Sequence, residues 1–290
     1  MKGVNYLSRH DAFGAQLIYF ENAVGLLDDS LKKSARLTVA PNTFVNEDGT
    51  AYNGKVVMTI NGDYVRGWWA LHSIPTTSNG NTLLSEGAVY LNAADMNGNN
   101  LKISLGKNIT ISIPGGVTAT QNNMYYGDDN VQDPSPANTS LFDWKETTTD
   151  IVESYFDSNT SLFFYTLKPT QLGWVSCSRL AAAPTNPVGI KVRVLEINPI
   201  FATNTAVYVV PVNGKSAYRL WNYDKPTNTF SMDKPYLENG TNVYIIVIAY
   251  VRHFKIYYVK DDCIVNGNTF KVVNASENKL NTIITNLYYL

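Results

Sequence analysis

Short runs in which apolar and polar residues alternate, separated by turn signals, dominate the chain from Arg36 onward. Leu37 and Val39 alternate with polar residues until Pro41, which cannot donate a hydrogen bond to a sheet ladder. Residues 46–49 then read Asn-Glu-Asp-Gly, a turn sequence because Asp and Gly tolerate the left-handed backbone region. Repeated strands and turns of this kind predict an all-β protein built from antiparallel sheets.

The strands fall into two groups, which we interpret as two antiparallel β-sandwich domains in tandem. The first β-sandwich covers residues 36–115 and ends with the alternating Ile109, Ile111 and Ile113 before a Pro-Gly-Gly turn. Residues 116–160 are predicted to be a connector, because a polar, proline-containing stretch runs through them. The second β-sandwich covers residues 161–290, where Asn-Gly turns separate several apolar runs.

The two ends of the chain lack a clear strand pattern. In the N-terminal segment, residues 1–35, apolar residues at positions 13, 17, 20, 24 and 27 have the loose spacing of a helix over residues 11–31. Gly14 and Gly25 interrupt that helix, so a strand over residues 16–20 followed by a loop fits equally well. At the other end, Leu280, Ile283 and Leu287 predict a short C-terminal helix.

Composition limits the partners more than it limits the activity. With 290 residues and 44% hydrophobic content, the chain can bury more than one core. Only 16% of the residues are charged and the formal net charge is -1, which gives no basic stripe for nucleic acid. No apolar run approaches the length of about 20 residues that a membrane span needs.

The balance of polar residues also suggests a location. Low charge with many Asn, Thr, Ser and Tyr is common in exported proteins. No apolar leader follows Met1. We therefore expect an exported protein, periplasmic or on the cell surface, whose targeting segment has been removed.

Few residues suit a metal or redox site. Cys177 and Cys263 lack the paired spacing of a zinc site; a disulfide between them suits an exported protein, and buried free thiols fit equally well. Asp128, Asp129 and Asp133 supply oxygens for a calcium ion, although a solvated acidic loop explains them more simply. The sequence indicates no cofactor.

No group of residues stands out as catalytic. A Cys nucleophile needs a base within hydrogen-bond reach, and Cys177 with His253 is the one combination to consider. No nucleophile motif surrounds Cys177, which is better explained as a core residue. Glu86, Glu153 and Glu196 are carboxylates of the type that glycoside hydrolysis requires in pairs, but nothing in the sequence singles out one pair. We expect a protein that is not an enzyme.

Tryptophans are the best candidates for a ligand-binding surface. Trp68 and Trp69 are adjacent, and adjacent side chains of a strand point to opposite faces. One of the two is then either exposed as a sugar-stacking platform or covered by an inter-domain contact. Trp221 is the third candidate for such a platform.

Several segments together resemble a group of exported Bacteroidetes proteins. In that group, a β-sandwich like the one in ankyrins, netrin receptors and zonula occludens proteins precedes a second β domain. The resembling segments are LTVAPNTFV (37–45), PTTSNG (75–80), GAVYLNA (87–93), MYYG (124–127) and GWVSCSRL (173–180). The resemblance implies tandem β domains and carries no catalytic signature. Some eukaryotic tandems of this kind cut themselves at a His-Phe-Ser site, but here His253 and Phe254 precede Lys255, so we do not expect self-cleavage.

These observations lead to one expected function and two alternatives. We expect a structural or interaction module whose partner is a protein or a glycan at the cell surface. The first alternative is a carbohydrate-binding module, which predicts a solvent-facing Trp or Tyr with polar groups at its rim. The second is a self-cleaving or hydrolytic protein, which predicts a pocket where Cys177 or a carboxylate pair meets a base.

Overall fold

The computed structural model describes residues 16–30, 35–63, 69–70, 74–132, 140–197, 200, 204–251 and 255–288. Strands make up most of these residues, and nearly all paired strands run antiparallel. The predicted all-β class is therefore confirmed.

Two large sheets and a small strand pair make up the first part of the chain. The strands are β1 (Gln16–Glu21), β2 (Leu26–Ser30), β3 (Arg36–Val39), β4 (Phe44–Asn46), β5 (Lys55–Asp63), β6 (Thr77–Ser78), β7 (Asn81–Ala94), β8 (Leu101–Ile103), β9 (Ile109–Pro114), β10 (Asn123–Gln132), β11 (Ser140–Ile151), β12 (Glu153–Asp157), β13 (Leu162–Leu167) and β14 (Gly173–Leu180). A seven-stranded sheet has the order β1-β5-β7-β14-β10-β11, with β6 paired to β7. A five-stranded sheet has the order β12-β13-β9-β3-β2, and β4 pairs with β8.

Strand alternation creates the core between these two sheets. In the five-stranded sheet, Leu37 pairs with Ile111 and both are fully buried. In the seven-stranded sheet, Met58 pairs with Ala93, and both belong to the same apolar cluster. Because burying a side chain of this size stabilises a fold by about 1.5 to 3 kcal/mol, the alternation seen in the sequence fixes which face of each sheet points inward.

The second part of the chain contains three further sheets. The strands are β15 (Pro187–Val188), β16 (Ile190–Leu195), β17 (Thr205–Pro211), β18 (Tyr218–Arg219), β19 (Asn222–Asp224), β20 (Thr229–Ser231), β21 (Leu237–Glu238), β22 (Thr241–Val251), β23 (Lys255–Val265), β24 (Thr269–Asn274) and β25 (Ser276–Asn278). The orders are β19-β20-β16-β24, β18-β17-β22-β23-β25 and β15-β21. β16 and β24 are parallel. Val192 of β16 shares one apolar cluster with four residues of β22, namely Val243, Ile245, Val247 and Ala249.

A helix covers the other face of the five-stranded sheet in this part. The helix α1 (Leu280–Tyr288) places Ile283 and Leu287 in one apolar cluster with Tyr208 of β17 and Ile246 of β22. The predicted C-terminal helix is therefore confirmed. Within the described residues, no helix is long and apolar enough to cross a bilayer.

Residues 16–30 of the N-terminal segment form β1 and β2, so the helical interpretation is wrong for these residues and the alternative strand over residues 16–20 is confirmed. β1 pairs with β5 and β2 pairs with β3, which adds one edge strand to each large sheet. Gly25 between them has φ of 77°, and a Cβ there would overlap the carbonyl oxygen of Val39. Buried Asn22 donates from Nδ2 to the carbonyl oxygen of Phe44 at 2.8 Å. These contacts fix a turn in the place where a helix would have to continue.

Strand pairing crosses the predicted boundaries at residues 115 and 160. β10, β11 and β12, which lie in the predicted connector, are strands of the two large sheets. β13 and β14, predicted in the second domain, pair with β9 and β7. The change from one set of sheets to the other therefore falls after Leu180, because long-range pairing rather than local composition decides sheet membership.

Hydrogen bonds from main-chain amides join the two parts. The Thr76 amide donates to the Ala217 carbonyl oxygen at 2.8 Å, and the Ala217 amide donates back to Thr76 Oγ1 at 2.8 Å. The Ser85 amide donates to the Lys215 carbonyl oxygen at 2.9 Å. The loop that follows β17 is thus bound directly to β7 and the segment before it.

Candidate functional site

Trp69 is not an exposed member of the predicted platform. Trp69 is helical and 2% exposed, and it packs in the cluster of Tyr208 and Ile283. The strand predicted for this stretch is wrong at Trp69, because a short apolar run does not distinguish a strand from a buried helical turn. Trp68 lies outside the described residues.

Trp221 is half-buried under a cation of its own chain. The guanidinium carbon of Arg219 lies 3.9 Å from the centre of the Trp221 ring. Burial lowers the pKa of Arg219, since removing a cation from water disfavours its charged form. One face of the indole is therefore occupied and does not offer a sugar-stacking surface.

The predicted acidic site is only partly within the described structure. Asp128 lies in β10, not in a loop, and forms an ion pair with Lys145 of the neighbouring β11. The side chain of Asp129 and all of Asp133 lie outside the described residues. No group of three His, Cys, Asp or Glu side chains suited to a metal occurs in the part of the chain that the structure describes.

The two cysteines are free thiols in different cores. Cys177 is buried in the cluster between the first two sheets, and Cys263 is half-buried beside the second cluster. The disulfide alternative is therefore wrong. Burial raises the pKa of Cys177 well above its ordinary value and also raises that of Cys263, which keeps both thiols protonated and poorly nucleophilic. His253, the base considered for Cys177, lies outside the described residues.

Glu86 is the one predicted carboxylate that is buried among charged partners. Glu153 and Glu196 are exposed. The register of β7 against β14 shifts so that Ser178 faces Ser85 and Cys177 faces Gly87, which leaves Glu86 as the extra residue of a β-bulge. Glu86 Oε1 accepts from Arg179 at 3.2 Å and from Thr120 Oγ1 at 3.2 Å.

Lys215 completes this cluster from the second part of the chain. Its ammonium donates to Glu86 Oε2, and the Glu86 side chain is only 2% exposed. Asn122 is buried beside it and accepts from Arg179 at 3.2 Å. Both carboxylate oxygens of Glu86 therefore have partners within the chain. We call these residues the Glu86 cluster, and its ion pairs connect the two parts of the chain.

An aromatic stack lies at the edge of the first five-stranded sheet, and its exposed ring comes from the segment predicted to be a connector. Tyr155 of the edge strand β12 is 37% exposed and stacks on Phe164 of β13 with 5.6 Å between ring centres. Arg36 lies over the same Phe164 ring at 5.2 Å and donates to Asp157 at 2.8 Å. Sequence reasoning missed Tyr155 because its exposure depends on β12 being the outermost strand.

A second exposed surface lies on the four-stranded sheet, and we call it the basic face. It consists of Lys191 and Arg193 from β16 and Phe270 and Val272 from β24, all exposed on one side of the sheet. Phe270 is 55% exposed and Val272 44% exposed. The register pairs Lys191 with Phe270 and Arg193 with Val272, so each cation lies beside an apolar side chain.

A cleft of about 590 Å³ borders the basic face. Its floor contains Lys191, Phe270 and Ser231, which lie in one row across three neighbouring strands. Residues 232–235 form its wall, and Lys234 in that wall also contacts Gly80 of the first part. Two cations, Lys191 and Lys234, one carboxylate, Asp233, and apolar and hydroxyl groups thus converge on one concave surface, which is the arrangement expected of a binding site. The sequence held a signal for this surface in the alternation of Lys191 and Arg193, but not the lateral position of β24.

Comparison with known proteins adds no assignment. No protein-family model matches this sequence, and no curated protein matches it. The function must therefore be inferred from the surfaces described above.

Proposed function

We propose that this chain is a non-enzymatic interaction module of an exported or cell-envelope protein and that it binds its partner on the basic face. The observation that carries the proposal is the exposure of Phe270 and Val272 beside two cations and next to a cleft. An apolar cluster of this kind on a solvent-facing sheet is typical of an interaction surface. The burial of Cys177, the one candidate thiol nucleophile considered, supports a binding role over a hydrolytic one.

Location outside the cytoplasm belongs to the same proposal. It is supported by the low content of charged residues and by the resemblance of segments such as residues 37–45 to exported Bacteroidetes proteins. These segments fall in the first part of the chain, whereas the basic face lies in the second part. The partner is therefore expected to contact the second part.

The test is a defined panel of immobilised peptides and glycans probed with the labelled chain. We expect the chain to bind at least one probe and the Phe270→Ser variant to lose that binding. Lys225→Glu is the matched control, because Lys225 is exposed at the turn after β19 and lies away from Phe270. Binding to no probe, or equal binding by Phe270→Ser and the unaltered chain, would refute the proposal.

A second candidate function is favoured by the aromatic stack at Tyr155. Tyr155 is 37% exposed and has one ring face on Phe164, so its other face is the surface on which the apolar face of a sugar would stack, with the half-exposed Arg36 beside it. The same panel tests it. A glycan signal that Tyr155→Ala abolishes and Phe270→Ser leaves unchanged would favour this candidate over the basic face.

A further inference from the structure

The basic face ends at an open sheet edge. β24 is the outermost strand in the order β19-β20-β16-β24, and within the described residues nothing pairs with its other side. The Ala275 amide points towards β16, the inner neighbour of β24, since it donates to the Leu195 carbonyl oxygen at 3.4 Å. The main-chain N–H and C=O groups of successive strand residues point alternately to the two sides of the strand, so those of Phe270 and Val272 point away from β16, towards the open edge. These are the groups with which an added strand pairs.

The side chains beside this edge repeat with the period of a strand. Lys191 and Arg193 are two residues apart, as are Phe270 and Val272, so each pair is separated by about 6.6 Å along the sheet. An extended peptide added next to β24 presents its own alternate side chains on the same face at the same spacing. Glu side chains there place their methylene groups over Phe270 and Val272 and extend their carboxylates towards the two cations.

We propose that an extended acidic peptide, with carboxylates at alternate positions, adds to β24 as a further strand. The inference rests on the proposed function and names the partner chemistry for the same face. The open main-chain edge favours a peptide over a glycan, because a glycan cannot continue a sheet ladder. The positive charge of Lys191 and Arg193 favours an acidic sequence over a neutral one.

Three short acetylated peptides test the inference against the full chain by isothermal titration calorimetry. The first alternates Glu and Thr, the second has the same composition with its Glu residues adjacent, and the third alternates Lys and Thr. We expect the first to bind about tenfold or more tightly than the other two, and to bind more weakly as salt is added. Equal affinity for the first two peptides would overturn the inference, since spacing would then be irrelevant.

Protein variants locate the binding on the basic face. The double variant Lys191→Glu with Arg193→Glu is expected to weaken binding of the alternating peptide about tenfold or more, because repulsion replaces attraction. Lys225→Glu changes the same kind of charge at an exposed position off the face and is expected to leave affinity within about twofold. An equal loss in both would show that net charge, not this face, causes binding, and would overturn the inference.

Changes in the peptide test strand addition without altering the protein. N-methylation removes a main-chain donor, so methylation of every second residue in one register should abolish binding and in the other register should preserve it. If neither methylated series loses affinity, the peptide does not pair with β24 and the inference is wrong.

Further outcomes separate this inference from the proposed function. If a glycan or basic peptide binds and Phe270→Ser abolishes that binding, the basic face is a binding site and the acidic-peptide assignment is wrong. If sedimentation shows a dimer that Phe270→Ser converts to a monomer, the occupant is a second copy of this chain and the acidic-peptide assignment is again wrong. If no probe binds at all, both the inference and the proposed function are refuted.

Discussion

The ion pairs of the Glu86 cluster allow a quantitative prediction about the free energy of unfolding. Replacing Glu86 by Gln keeps the volume of the side chain and removes its charge. Arg179 and Lys215 are then left next to a neutral amide at the junction of the two parts. Removing one partner of a buried ion pair commonly costs about 3 to 5 kcal/mol, mainly because the remaining charge is uncompensated.

The exposure of the two cations places the expected loss at the lower end of that range. The side chains of Arg179 and Lys215 are 31% and 45% exposed, so water can hydrate them once the carboxylate is gone. We therefore expect Glu86→Gln to lower the free energy of unfolding by about 3 kcal/mol.

Urea unfolding followed by tryptophan fluorescence measures this loss, and Glu153→Gln is the matched control. Glu153 pairs with Lys168 at 3.2 Å, but both side chains are largely exposed, at 69% and 47%. An exposed pair of this kind contributes about 0 to 1 kcal/mol. A loss for Glu86→Gln no larger than that for Glu153→Gln would show that burial at the bulge has no energetic consequence, contrary to this reasoning.

Three more measurements test other parts of the structure. Thiol labelling of the folded chain is expected to modify Cys263 slowly and Cys177 only after unfolding. In a Cys263→Ser variant only Cys177 remains, so labelling of the folded variant as fast as that of the unaltered chain would contradict the burial of Cys177. Burial raises the pKa of Tyr125 from 10.0 to about 12. The stability that this tyrosine contributes is therefore present below pH 10 and falls by about 1.4 kcal/mol per pH unit between pH 10 and 12. Urea unfolding of Tyr125→Phe should show a shallower loss of stability with pH over this range, and an unchanged slope would contradict the shift. Gly25→Ala should cost more stability than Gly98→Ala by calorimetry, because both have positive φ but only Gly25 lies against backbone, and equal costs would refute that contact.

Local pattern predicted the parts of the fold that local pattern encodes. Leu37 and Ile111 alternate with polar residues because each lies on a half-buried strand, and α1 followed from Ile283 and Leu287 at helical spacing. The polar stretch around Asp128 was misinterpreted as a loop, since a strand rich in charge is stabilised by its neighbour. Here the neighbour is Lys145, which the sequence places far from Asp128.

The pairing of strands that are distant in sequence could not be predicted from local sequence pattern. The pairings of β13 with β9 and of β14 with β7 depend on contacts between distant segments, so composition placed the boundary at the wrong side of these strands. The candidate surfaces failed to emerge for the same reason. Phe270 is exposed because it lies on the solvent-facing side of its sheet, and it has Lys191 as a neighbour because β24 pairs with β16 in this register.

The bulge at Glu86 lies in the segment of the first part that contains residues 80–86, and one wall of the cleft contacts the same segment. The loop that carries Lys215 is held to Glu86 and to the Ser85 amide. Lys234, in the wall of the cleft, contacts Gly80, which lies on the same segment of the first part as Ser85. The first part therefore lies against one wall of the cleft, while the floor belongs to β20, β16 and β24.

A ligand on the basic face would contact only the second part, yet the shape of its site depends on the junction. The buried carboxylate of Glu86 fits this dependence, because it is held by cations from both parts of the chain. Its ionic contacts fix an orientation that apolar packing alone specifies less strictly. Glu86→Gln should therefore loosen the wall of the cleft as well as lower stability, and weaker binding on the basic face by this variant would show that the two are coupled.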